Sequence, residues 1–85
     1  MKTVWKFPLD LNRLSYVRMP TGYEILKIDC QDDQPMIWAL VDPEAPMDTH
    51  GFLIRGTGHP VPDGMGHIAS FFQGPFVWHV FQRKD

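Results

Sequence analysis

Eight prolines, at positions 8, 20, 35, 43, 46, 60, 62 and 75, punctuate the 85 residues throughout. Proline has no amide hydrogen and steers the residue before it away from helical backbone, and inside a helix it costs about 3 kcal/mol or more. No stretch between the prolines keeps apolar residues at helical spacing for more than two turns. Apolar and polar residues alternate instead, with turn signals at short intervals. The pattern predicts an all-β fold: a single small domain over residues 1–85, of about seven short antiparallel strands, built as a sandwich or a partly open barrel. One short helix has room at residues 43–49 or near residues 10–14.

Thr3, Trp5, Phe7 and Leu9 alternate with Lys2, Val4 and Lys6, giving a first strand that ends near Pro8. Residues 14–19 read as a second strand. Pro20, Thr21 and Gly22 then make a tight turn, with φ preset by proline and left free by glycine. A third strand over 23–31 places Leu26, Ile28 and Cys30 on one face, and residues 32–35 form a hairpin loop. The fourth, 36–42, has Met36, Trp38 and Leu40 on one side and Ile37, Ala39 and Val41 on the other. Residues 43–49 connect it to a fifth strand at about 50–57. Strands at 67–73 and 76–82 are joined by Gly74 and Pro75.

The fourth strand, and the seventh apart from His79, are apolar on both faces. One layer of a small sandwich buries only one face of each strand. A homo-oligomer would cover the second face, as would a short helix or a barrel interior; the alternative is that both strands sit centrally under loops. At 85 residues the core is thin, since a domain of this size buries little more than about 60% of its unfolded surface.

Eight Lys and Arg against ten Asp and Glu leave a net charge of −2, and the basic residues are scattered along the chain. Duplex nucleic acid is therefore not an expected partner, because its affinity rests on neutralised phosphates. A small anionic ligand needs only one or two cations and some backbone N–H groups. The single cysteine, Cys30, excludes an internal disulfide and a cysteine-based zinc site. No apolar run has the length of a membrane span or of a signal peptide, so a soluble cytoplasmic protein is expected.

Residues 56–64, Gly-Thr-Gly-His-Pro-Val-Pro-Asp-Gly, hold three glycines, two prolines, a histidine and an aspartate in nine positions. Glycine allows close backbone approach and proline fixes φ, so the loop is stiff and aims its few polar groups, which suits binding. Arg55, beside it, can meet a phosphate or carboxylate together with loop amides, or else pair across strands with Asp42 or Asp29. Thr57, His59 and Asp63 belong to the same candidate site. His79, the polar side chain in an apolar strand, and Trp78, a possible platform for a base, complete the ligand-binding set. His59, Asp63 and His67, four residues apart, could hold a zinc or iron ion, but on a proline-ruled loop that spacing is a weak signal; turn-capping roles for His59 and Asp63, with His67 opening a strand, are the alternative. No metal or cofactor is expected.

Catalysis is not expected either. Ser15 and Ser70 lack the glycine elbow that exposes a nucleophile, Cys30 lies on an apolar strand face, and Asp32 and Asp33 splay apart on a turn.

Three blocks carry a resemblance: Trp-Ala-Leu-Val-Asp-Pro at 38–43, Gly-Thr-Gly-His-Pro at 56–60 with Asp63 following, and Val-Trp-His-Val-Phe at 77–81. With the opening Lys-Thr-Val-Trp-Lys-Phe-Pro-Leu at 2–9 and the Pro-Thr-Gly turn at 20–22, the chain resembles a family of small bacteriophage-encoded proteins. The resemblance spans nearly the whole sequence. It implies a phage accessory factor acting in the cytoplasm of the infected bacterial host, such as an inhibitor of host defence, and assigns no catalytic residue. Such a factor could sequester a nucleotide-derived signal in pockets of a homo-oligomer. It could alternatively block a host protein, or serve as a minor virion or assembly component.

Overall fold

The computed structural model describes residues 1–84. They form seven strands in the order β1 (Thr3–Pro8), β2 (Ser15–Pro20), β3 (Glu24–Gln31), β4 (Gln34–Val41), β5 (Met47–Gly56), β6 (Met65–Gln73) and β7 (Phe76–Arg83). Two open sheets result, β1-β4-β3 and β2-β5-β7-β6, with every pairing antiparallel. The architecture is thus the sandwich of the two expected all-β forms. No described residue is helical: residues 43–46 make a turn closed by the Ala45 N–H on the Asp42 carbonyl (3.1 Å), and β5 begins already at Met47.

Strand alternation puts Ile37, Ala39 and Val41 of β4 against Phe52 and Ile54 of β5, Val80 of β7, Phe71 of β6, and Val17 and Met19 of β2. Phe52, Ile37, Ala39, Met19 and Val80 lose all solvent contact. Each large apolar side chain buried in this way contributes about 1.5–3 kcal/mol. The shortest dimension, 16 Å, is what two stacked sheets with outward side chains require.

Three details depart from the sequence reading. The β3–β4 connection is a two-residue turn, with Asp32 and Asp33 at φ of 51° and 63°; Gln34 and Pro35 already pair with Gln31 and Cys30. Positive φ at both central residues matches the twist of the flanking strands, and aspartate tolerates it better than most residues. A β-bulge between Ile25 and Lys27 breaks the alternation of β3. Ile25 therefore packs on the core, whereas Leu26, expected to face inward with Ile28 and Cys30, stands exposed.

The third concerns the doubly apolar strands. Both are interior: β4 lies between β1 and β3, and β7 between β5 and β6. The outer face of β4 is flanked across the strands by Lys6 and Lys27, which sit opposite Trp38, and long lysine stems can cover apolar surface while their heads stay in water. Trp38 accordingly lies half-buried outside the core.

Candidate functional site

Both β5 and β6 run antiparallel to β7, and hence parallel to each other, so the connection over 57–64 must return along the length of the sheet. It does so over the outer face. Arg55 points outward there and its Nε donates to the Pro60 carbonyl at 3.0 Å, while another of its nitrogens reaches the Ile54 carbonyl at 3.2 Å. These bonds replace the cross-strand acidic partner considered from the sequence; the residue paired with Arg55 across the strand is His79. Beneath the loop Leu53, an outward-facing residue, is only 5% exposed.

The loop begins with a turn that the His59 N–H closes on the Gly56 carbonyl at 3.1 Å, with Gly58 at φ +89° as its third residue. A positive φ at that position favours glycine. The His59 ring folds back on Gly56 so closely that a Cβ at 56 would stand 3.1 Å from two ring atoms and 3.4 Å from Trp78. A side chain at 56 would thus be crowded unless the His59 ring shifted by a few tenths of an ångström, and His59 covers the start of the turn.

Between this loop and residues 13–16 lies a cleft of about 600 Å³. Arg13, Arg55 and Arg83 line it, with Asp63 as the carboxylate, and Tyr16, Leu53 and Met65 supply apolar and aromatic wall. Each arginine has a tether: Arg13 to Asp10 (3.4 Å), Arg55 to Pro60, and Arg83 to the Tyr16 hydroxyl (3.3 Å). Lys84 is at the rim, its N–H on the Gly64 carbonyl and its side chain over Gly66. A cleft lined by three arginines suits recognition of phosphate or carboxylate, which arginine meets with paired donors. A hollow of about 730 Å³ beneath the β1–β2 connection has Asp10 and Asp33 against Arg13 on its wall and offers an anion no comparable attraction.

The remaining residues singled out from sequence fall elsewhere. His59 and Trp78 share two smaller hollows at the end of the sandwich, of about 470 and 330 Å³, the first walled also by Arg55 and Pro60 and the second by Thr57, Pro75 and Phe76. Trp78 itself packs against the core, and its indole N–H donates to Gln73 at 3.0 Å. Thr57 and His79 meet on the outer face: the Thr57 hydroxyl lies 2.9 Å from His79 Nε2, the Ser70 hydroxyl 2.9 Å from His79 Nδ1, and His67 Nε2 3.0 Å from that same Ser70 oxygen. Arg55, Thr57, His59, Asp63, Trp78 and His79 therefore do not line one pocket. Arg55 borders both the cleft, with Asp63, and a sheet-end hollow, with His59 and Trp78, while Thr57 reaches His79 in a chain of hydroxyls and imidazoles.

His67 is turned toward Ser70 and away from the set with His59 and Asp63, and among the described residues no three His, Cys, Asp or Glu side chains converge as metal ligands. Cys30 is half-buried on the inner side of β3; burial first, then the nearby Asp29 and Asp33 carboxylates, push its thiol up. A raised thiol is a poor nucleophile at neutral pH.

Sequence reasoning missed Arg13, Arg83 and Ser70. The two arginines are 42 and 28 residues from Arg55 along the chain, and only the strand order β2-β5-β7 makes them neighbours. Ser70 was hidden by strand periodicity. Residues three apart on a regular strand face opposite ways, but the bulge between His67 and Ala69 turns His67 and Ser70 to one side.

No curated protein and no solved structure matches the chain. The model of one family, described as Domain of unknown function (DUF7352), matches residues 1–85, and the chain belongs to that family.

Proposed function

We propose that this protein binds a small, multiply charged anion, a phosphate-bearing and nucleotide-like molecule, in the cleft between residues 57–64 and residues 13–16. The observation that carries this reading is the convergence of Arg13, Arg55 and Arg83 on one cavity of about 600 Å³ in a chain of net charge −2. Such local concentration of positive charge against the overall sign is what an anion site needs, and Tyr16 offers a ring for a planar group. The loop is stiffened by Pro60, Pro62 and the Arg55 tether, which lowers the ordering cost of binding. In the phage setting that the sequence blocks suggest, the role would be an accessory one, removing a nucleotide-derived signal of host defence without catalysis.

Calorimetric titration with ATP and with pyrophosphate at low salt tests this. Binding is expected to weaken as salt is raised from about 0.05 to 0.2 M, through screening. Arg83→Ala is expected to lower affinity about tenfold or more, the loss typical of a charge-assisted hydrogen bond. No binding of either probe, or binding indifferent to Arg83→Ala, would overturn the reading.

A second reading is favoured by Phe72 and Phe76, which stand 73% and 59% exposed at the β6–β7 hairpin, where β6 is the sheet edge. Aromatic side chains at an open edge suit a protein partner, either a host protein to be blocked or a second copy of the chain. Light scattering combined with a Phe72→Ser variant separates the second copy from a foreign partner.

A further inference from the structure

We infer that His67 and His79 form a two-imidazole site for a first-row divalent transition metal, Cu²⁺ or Zn²⁺, on the outer face of the four-stranded sheet. The inference is independent of the anion cleft. His67 Nε2 and His79 Nδ1 both aim at one point, which the Ser70 hydroxyl holds at 3.0 and 2.9 Å. Two nitrogens converging so closely need only small side-chain rotations, with the exposed Ser70 hydroxyl swinging aside or staying as an oxygen ligand, to reach the roughly 2.0–2.1 Å of a metal–imidazole bond.

Backbone and ring contacts prepare this pair. The bulge between His67 and Ala69 places His67 on the face of Ser70 and His79. Bulges of this kind re-aim side chains beside functional sites. The His67 ring packs edge-on to Phe81, with centroids 5.5 Å apart, which limits its swing. His79 has its second nitrogen, Nε2, 2.9 Å from the Thr57 hydroxyl. With the ring proton on Nε2 donated to Thr57, the Nδ1 lone pair faces the shared point, the arrangement by which an outer hydrogen bond fixes the tautomer of a metal-binding histidine. Thr57 is thus a positioning residue, and water would complete the coordination. Imidazole pairs favour Cu²⁺ over Zn²⁺ in the general affinity order of divalent ions.

The test is titration of the tag-free full chain with CuSO₄ and with ZnCl₂ by calorimetry, with electron paramagnetic resonance of the copper sample. The expected result is one equivalent of Cu²⁺ bound more tightly than Zn²⁺, with a copper spectrum showing nitrogen ligation. His67→Ala and His79→Gln are each expected to weaken binding at least tenfold, while His50→Ala leaves it unchanged. Circular dichroism accompanies every variant; His67 is exposed, so His67→Ala decides the matter should His79→Gln fail to fold. Copper affinity unchanged in His67→Ala, or lost in His50→Ala, would overturn the site.

Discussion

The two sheets share one core and each contains one β-bulge, yet their outer faces differ. In the three-stranded sheet the bulge at Ile25 and Lys27 leaves Leu26 in solvent, and the surrounding face consists of Lys6, Trp38 and Lys27 in a cross-strand row. This is an ordinary amphipathic cover. In the four-stranded sheet the bulge at His67 and Ala69 gathers two imidazoles and a hydroxyl, a nine-residue glycine-proline segment crosses above, and three arginines border the cleft beneath it. The same local irregularity therefore leaves an apolar side chain in solvent in one place and gathers polar side chains in the other. What differs is the connection. A hairpin returns the chain beside the strand it left, whereas the parallel relation of β5 and β6 forces a crossover that turns an outer face into a roofed one.

The largest expected effect breaks the comparison at the roof itself. Leu53→Ala, under the loop, should cost about 2–4 kcal/mol, the range for deleting a buried leucine side chain. Val4→Ala, on the outer face of the other sheet and half exposed, should stay within about 0.5 kcal/mol. Urea unfolding of both variants measures the difference; equal costs would mean the crossing segment does not shelter Leu53.

A smaller effect concerns the tether. Arg55→Ala removes the bond to Pro60 and should cost about 1–2 kcal/mol locally. Faster amide exchange over 57–64 with little change in β4 is the expected signature, and Lys27→Ala on the other sheet should leave exchange in both regions alone. A protein with the exchange of its loop unaltered by Arg55→Ala would not depend on that brace.

The smallest effect lies on the inner side of the three-stranded sheet. Burial and neighbouring carboxylates hold the Cys30 thiol above its ordinary value, so less thiolate is present in the folded chain than in the unfolded one. Alkylation by iodoacetamide near pH ~8.5, the ordinary cysteine range, should be slower in the native protein than in urea. The sign for stability follows: the contribution is whole below the unfolded thiol's pKa and is lost as pH rises through the raised folded value. Equal alkylation rates would place Cys30 in free solvent.

Much of the sandwich was legible in local pattern. Alternation at Ile37, Ala39 and Val41, and the proline-glycine turns at 20–22 and 74–75, depend on neighbours within a few residues, so they can be read along the chain. Leu26 was misread because a bulge is a two-strand event, set by how β3 matches β4. The stiff loop, too, was visible as composition, and Arg55 and Asp63 do border the cleft beside it. The roles of His59 and His79 were not visible, because the first depends on a ring folded over Gly56 and the second on hydroxyls brought from residues 57 and 70.

By itself, then, the sequence determined the strand-rich backbone, most turn positions and the glycine and proline backbone constraints of residues 56–64, since proline, glycine and period-two alternation act through φ, ψ and nearest neighbours. Only the tertiary structure decided that arginines from positions 13, 55 and 83 would meet and that two histidines would aim at one serine. Those meetings depend on strand order and on a crossover between parallel strands, where contacts join residues tens of positions apart and leave no periodic trace in the chain.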